Sequence, residues 1–146
     1  MTPSKWHWPS VGSAVAFSAF STVHLIDDFL SDVPLEFHLS IPVTEVLALA
    51  YMVALVGLTV AASHYSPAGY LGLAIAGLLI SLAQFTKSAP EILLPGPWRS
   101  GLSSELLAAG LTVSALLTML TSFLAWKTAG IDRDRSPGGT PTARPD

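Results

Sequence analysis

The sequence predicts an all-α integral membrane protein: a four-helix bundle with its N- and C-termini both cytoplasmic. Three observations carry this. Of the 146 residues, 51% are hydrophobic and only 12% are charged, against about 25% charged in ordinary soluble domains. The few charges are unevenly placed, since neither Val46 to Thr86 nor Leu106 to Trp126 contains an Asp, Glu, Lys or Arg. Finally, four apolar segments approach the roughly 20 residues that a helix needs to cross about 30 Å of hydrocarbon.

The first span is placed at about 9–30. Its uninterrupted apolar stretch, Val11 to Ile26, has 16 residues and covers only about 24 Å at the helical rise. A full crossing therefore draws polar residues toward the hydrocarbon edge, either Trp8 to Ser10 or Asp27 and Asp28. A signal peptide is the competing reading, but the apolar run passes any cleavage point near Ala16 and ends in His24, Asp27 and Asp28. The second span is placed at about 43–62, with Ser40 or Ile41 as cap and Pro42 in the first turn. The third runs from about 68 to 86 and the fourth from about 103 to 126, the latter with Ser103 and Ser104 as cap and Glu105 in its first turn. Residues 1–130 thus form one transmembrane domain. Residues 131–146, rich in Pro, Gly and alternating charge, read as a disordered cytoplasmic tail.

Orientation follows from the cations. Lys5, Lys127, Arg133, Arg135 and Arg144 lie on the side of the termini, against Lys87 and Arg99 on the other, so the termini are expected inside the cell membrane. Tyr65, Tyr70 and Trp126 are expected to form the inner aromatic belt, with Trp6 and Trp8 nearby and Trp98 outside. This places Asp27, Asp28, Asp32, Glu36, Glu45, Glu91 and Glu105 near the outer face, with His24, His38, Lys87 and Arg99.

At about 100° per residue, Ser21, His24, Asp27, Asp28 and Ser31 share an arc of about 120° that excludes Val23, Ile26 and Phe29. A polar stripe on a membrane helix faces its neighbours or a water-filled cavity, because charge facing lipid is costly. The alternative is that these residues merely end the helix in the wet interface. Against it, two acids in a last turn oppose the helix dipole, so a cation is expected beside them, Lys87 or Arg99 first. The candidate ligand-binding residues are His24, Asp27, Asp28, Glu45, Gln84 and Glu105. Glu45 is expected to turn inward, and Gln84 to need a polar partner near the outer level. No cofactor is expected. A metal held by His24, Asp28 and Glu45 is the one alternative, and the chain lacks the paired Glu-x-x-His motifs of di-metal bundles. The loop from Lys87 to Leu102, with Ile92, Leu93, Leu94 and Trp98, reads as an interfacial anchor or a lid over the bundle mouth.

Several classes are excluded. Without cysteine there is no disulfide, thiolate nucleophile or iron–sulfur cluster. A net charge of −3 with no basic patch gives nucleic-acid binding no electrostatic footing. In outline, four spans with acids near one face resemble the EXPERA group of sterol isomerases and sterol-binding receptors, though no motif aligns and no residue role carries over. Three readings of function follow. The first is a small polytopic membrane protein binding a lipid-like or cationic small ligand in an outward-facing polar pocket. The second is an accessory subunit packed by its small residues on other membrane subunits, or on copies of itself. The third is an intramembrane acid–base or metal-dependent enzyme using His24, for which no nucleophile or oxyanion motif is present.

Overall fold

The computed structural model describes residues 4–30, 40–93 and 101–134, with side chains along 4–30, 40–86 and 105–129. Four helices account for nearly all of them: α1 (His7–Leu30), α2 (Ile41–Ser63), α3 (Pro67–Leu93) and α4 (Gly101–Asp134). Each is long and apolar enough to cross a membrane. The helices form a ring in which α1 packs on α2 and α4, and α3 closes the circle between α2 and α4. Neighbours run antiparallel. Ser4 lies 2.6 Å from Thr128, Ser10 2.7 Å from Ser122 and Ser13 2.9 Å from Thr121, so α1 and α4 run in opposite directions. The beginning of α1, the end of α4 and the α2–α3 turn therefore share one end of the bundle.

The packing has one repeat. Buried residues on α1 are His7, Ser10, Ala14, Phe17, Ser21 and His24, spaced alternately by three and four. Leu111, Ala115, Thr118, Ser122 and Ala125 repeat this on α4, and on α3 Tyr70, Leu73, Gly77 and Ser81 follow one another at three, four and four residues. The inward face of α2 is Thr44, Ala48, Tyr51, Leu55, Leu58 and Ala62. A seam averaging 3.5 residues keeps one stripe facing its neighbours along the whole helix, the condition for knobs-into-holes packing in a bundle. Where α3 meets α2 and α4, Gly69 sits against the backbone of Ala61 and Ala62, and Gly77 against that of Ala115 and Met119. Small residues give close approach where lipid supplies no hydrophobic drive between helices.

Polarity is inverted relative to a water-soluble bundle. His7, Ser10, Ser21, His24, Thr118 and Ser122 are buried, while Leu30, Val46, Leu49, Val53, Phe85 and Leu106 are each more than 60% exposed. Water would penalise such a surface, which is far larger than the apolar patches soluble monomers carry; a bilayer accepts it. Composition, helix length and this inversion together describe a multi-pass membrane protein. At mid-bundle, Ala14, Phe17, Leu55, Leu73, Leu111 and Ala115 form an apolar layer, with polar side chains toward either end.

Several boundaries differ from the sequence reading. α1 begins at His7, so Trp8 to Ser10 are helical. α3 continues to Leu93 and α4 starts at Gly101, which shortens the expected loop from Lys87 to Leu102; a helix need not stop where the hydrocarbon does. α4 also runs to Asp134, into the stretch expected to be a tail. The positions 135–146, positions 94–100 of the anchor or lid segment with Trp98, and the side chains of the rest of that segment lie outside the described residues, as do Ser31, Asp32, Glu36 and His38.

Candidate functional site

The end of the bundle away from the termini carries the stripe expected from the sequence. The α1 seam brings His24 into the core, 7% exposed, and one turn later Asp28 approaches it, with His24 Nε2 3.6 Å from Asp28 Oδ2. The Asp28 side chain remains about a quarter exposed (24%), so the pair spans the step from core to surface. Asp27 lies half-buried beside the seam and Val23 and Ile26 face outward, as the arc requires, whereas Phe29, expected with them, is half-buried. One turn inward, Ser21 Oγ lies 2.8 Å from the Tyr51 hydroxyl of α2. That bond satisfies a phenol that would otherwise be costly inside an apolar span.

Gln84 continues the α3 seam one step past Ser81. Gly77 packs on Ala115 and Met119 of α4. Two turns further, the antiparallel register sets Gln84 level with Gly110, which packs against Phe20 of α1. His24 is one turn beyond Phe20 toward the same end. The Gln84 amide oxygen is buried, with no hydrogen-bond partner among the described residues. Imidazole, carboxylate and amide oxygen thus occupy neighbouring levels of one core. Together they suit a group that donates hydrogen bonds and carries positive charge, and the C-terminal dipole of α1 adds to the preference for a cation.

Two carboxylates stand elsewhere than expected. Glu45 is exposed, because Thr44 holds the inward phase of α2 and the next residue is turned about 100° away from it. Glu45 thus does not take the inward turn expected of it. Glu105 is half-buried at this end; since α4 begins at Gly101, Ser103 and Ser104 are within the helix instead of capping it. The side chain of Lys87 and all of Arg99, the expected ion-pair partners, lie outside the described residues. No three His, Asp or Glu side chains among the described residues are grouped to hold a metal ion.

The opposite end holds a cluster that the sequence reading missed. His7 is almost wholly buried, its Nδ1 2.6 Å from the Tyr70 hydroxyl. The Tyr65 ring lies over the imidazole, centroids 4.1 Å apart and planes 22° from parallel. Tyr70 is thus a core residue and not a member of an aromatic belt. Tyr65 has φ 61°. It ends α2 in a Schellman turn, with Tyr65 N–H donating to the Ala62 carbonyl at 2.9 Å and Ser66 N–H to that of Ala61 at 3.1 Å. Glycine is the usual residue at this left-handed position, and a side chain there costs about 1–2 kcal/mol. The signal that could have found His7 is its phase, 17 residues before His24 on the same alternating repeat.

Comparison with protein-family models, curated protein sequences and solved structures finds no match to this chain.

Proposed function

We propose that this is a multi-pass protein of the cell membrane, termini in the cytoplasm, that binds a lipid-like or cationic small ligand at its outward end. The observation that carries the reading is the His24–Asp28 pair, drawn into the core by the same seam that packs the helices. Polar side chains at membrane depth are costly and are functional candidates by default. Asp28 supplies the anionic anchor, Gln84 an acceptor deeper in the core, and the apolar outer faces of the helices accommodate a hydrocarbon body. The excess of Lys and Arg on the side of the termini supports the orientation.

The test is mass spectrometry of the protein purified in mild detergent. Wild type is expected to carry an amphiphile with an amine or hydroxyl head group. Asp28→Asn preserves shape and removes the charge, and a charge-assisted hydrogen bond is worth about 1.5–3 kcal/mol. Bound ligand should accordingly fall about tenfold or more, with elution and helicity unchanged. Wild type without a specific amphiphile, or Asp28→Asn retaining it in full, would refute the reading.

A further inference from the structure

The termini-bearing end contains a buried titratable pair that ligand binding at the other end does not use. His7 and Tyr70 come from α1 and α3 and meet at 2.6 Å. His7 is 1% exposed although it is the first residue of its helix. What covers it is the Tyr65 ring, itself half exposed, stacked on one imidazole face, with Trp8 edge-on at 4.9 Å. The apolar layer of Ala14 and Phe17 separates this cluster from His24. The choice of residue at position 65 is the second, independent observation. A helix end of this geometry favours glycine, and the chain instead places a large ring there, held in a left-handed backbone, directly over a buried base.

We propose that His7 and Tyr70 form a proton-exchange site open to the termini side of the membrane, with the Tyr65 ring as its lid. In the closed arrangement one proton lies between Tyr70 Oη and His7 Nδ1. When Tyr65 swings away, the imidazole takes one proton from hydronium in the aqueous phase; both ring nitrogens are then protonated, Nδ1–H donates to the phenol oxygen, and the phenol keeps its own proton, turned away from the ring. The surroundings suit reversible charging. Lys5 and Lys127 are exposed, as is His64; Ser4 and Thr128 bond each other nearby; and the C-terminal dipole of α2 points its negative end at the cluster. On α4, the side chains of Asp132 and Asp134 lie outside the described residues.

Histidine hydrogen–deuterium exchange, read by mass spectrometry on the full chain in nanodiscs across pH 4–9, tests this. The rate at the imidazole C2 position reports both solvent access and protonation, and exposed His64 and buried His24 serve as internal references. In wild type, His7 should exchange at least tenfold more slowly than His64. Tyr65→Gly, chosen because glycine suits the backbone, should bring His7 to within about threefold of His64 and leave His24 unchanged; Tyr65→Phe, which keeps a ring, should stay slow. Tyr70→Phe should move the His7 titration midpoint by more than half a pH unit without moving that of His24. Wild-type exchange as fast as at His64, no acceleration in Tyr65→Gly, or a midpoint unmoved by Tyr70→Phe would each overturn the proposal. None of these outcomes depends on the ligand proposed for Asp28.

Discussion

The close approach of α3 to α4 can be tested by adding one methyl group. A Cβ on Gly77 would stand 2.5 Å from the Ala115 carbonyl oxygen and 2.9 Å from the Met119 nitrogen. Both atoms are backbone, so no side chain can rotate out of the way. Ordinary van der Waals contact begins at 3.4 Å, leaving Gly77→Ala about 0.9 Å short at the tighter of the two, a gap that only a shift of a whole helix can supply. Overpacking of this kind costs about 1–3 kcal/mol. Gly57→Ala is the matched control, because a Cβ there meets nothing within 4 Å. Both substitutions gain the same helix preference of alanine over glycine, about 1 kcal/mol. That common contribution cancels when the variants are compared, leaving the clash alone. Unfolding by SDS titration in mixed micelles should place Gly77→Ala about 1–3 kcal/mol below Gly57→Ala, with Gly57→Ala at or above wild type. Equal stability of the two variants would mean that α3 and α4 are not in backbone contact at Gly77, and the register derived from that contact would fall with it.

Two further outcomes can be checked directly. The Ser10–Ser122 bond joins α1 to α4 within the core; a double-mutant cycle of Ser10→Ala and Ser122→Ala should give a coupling of about 0.6 kcal/mol and no more than about 1.7, whereas strict additivity would show that the pair merely packs. The chain has no cysteine, so single cysteines report topology without background. Ser40→Cys should react with a membrane-impermeant maleimide on intact cells and His64→Cys only after permeabilisation; the reverse pattern would invert the orientation.

Helix number, class and the α1 polar arc were legible in the sequence because long charge-free runs and a one-sided stripe leave little freedom. The phase of α2 was not. It is apolar on every side, so nothing in its sequence distinguishes the face of Thr44 from that of Glu45, and only the bond of Tyr51 to Ser21 of α1 and the burial of Leu55 decide. His7 was missed for a related reason: beside Lys5, Trp6 and Trp8 it reads as part of a wet flank, and its burial depends on Tyr65 and Tyr70, residues about 60 positions away in the chain. The helices α3 and α4 run past the crossings expected for them because hydropathy measures the hydrocarbon crossing, whereas hydrogen bonding lets a helix continue past it. The strain at Tyr65 had no sequence signature, since a glycine-favoured turn carrying tyrosine looks like any loop.

The ring arrangement has a consequence for how the molecule is made. α1 emerges first and carries the least apolar of the four spans, yet the hydroxyls that receive Ser10 and Ser13 belong to α4, the last to be synthesised. At about 5–20 residues per second, several seconds separate the two on the ribosome. Throughout that interval Ser10 and Ser13 lie beside lipid or translocon without those neighbours, whereas Ser21, His7 and His24 need only Tyr51, Tyr70 and Asp28 from the earlier helices. The α1–α4 contact that closes the ring therefore forms only after the fourth helix arrives.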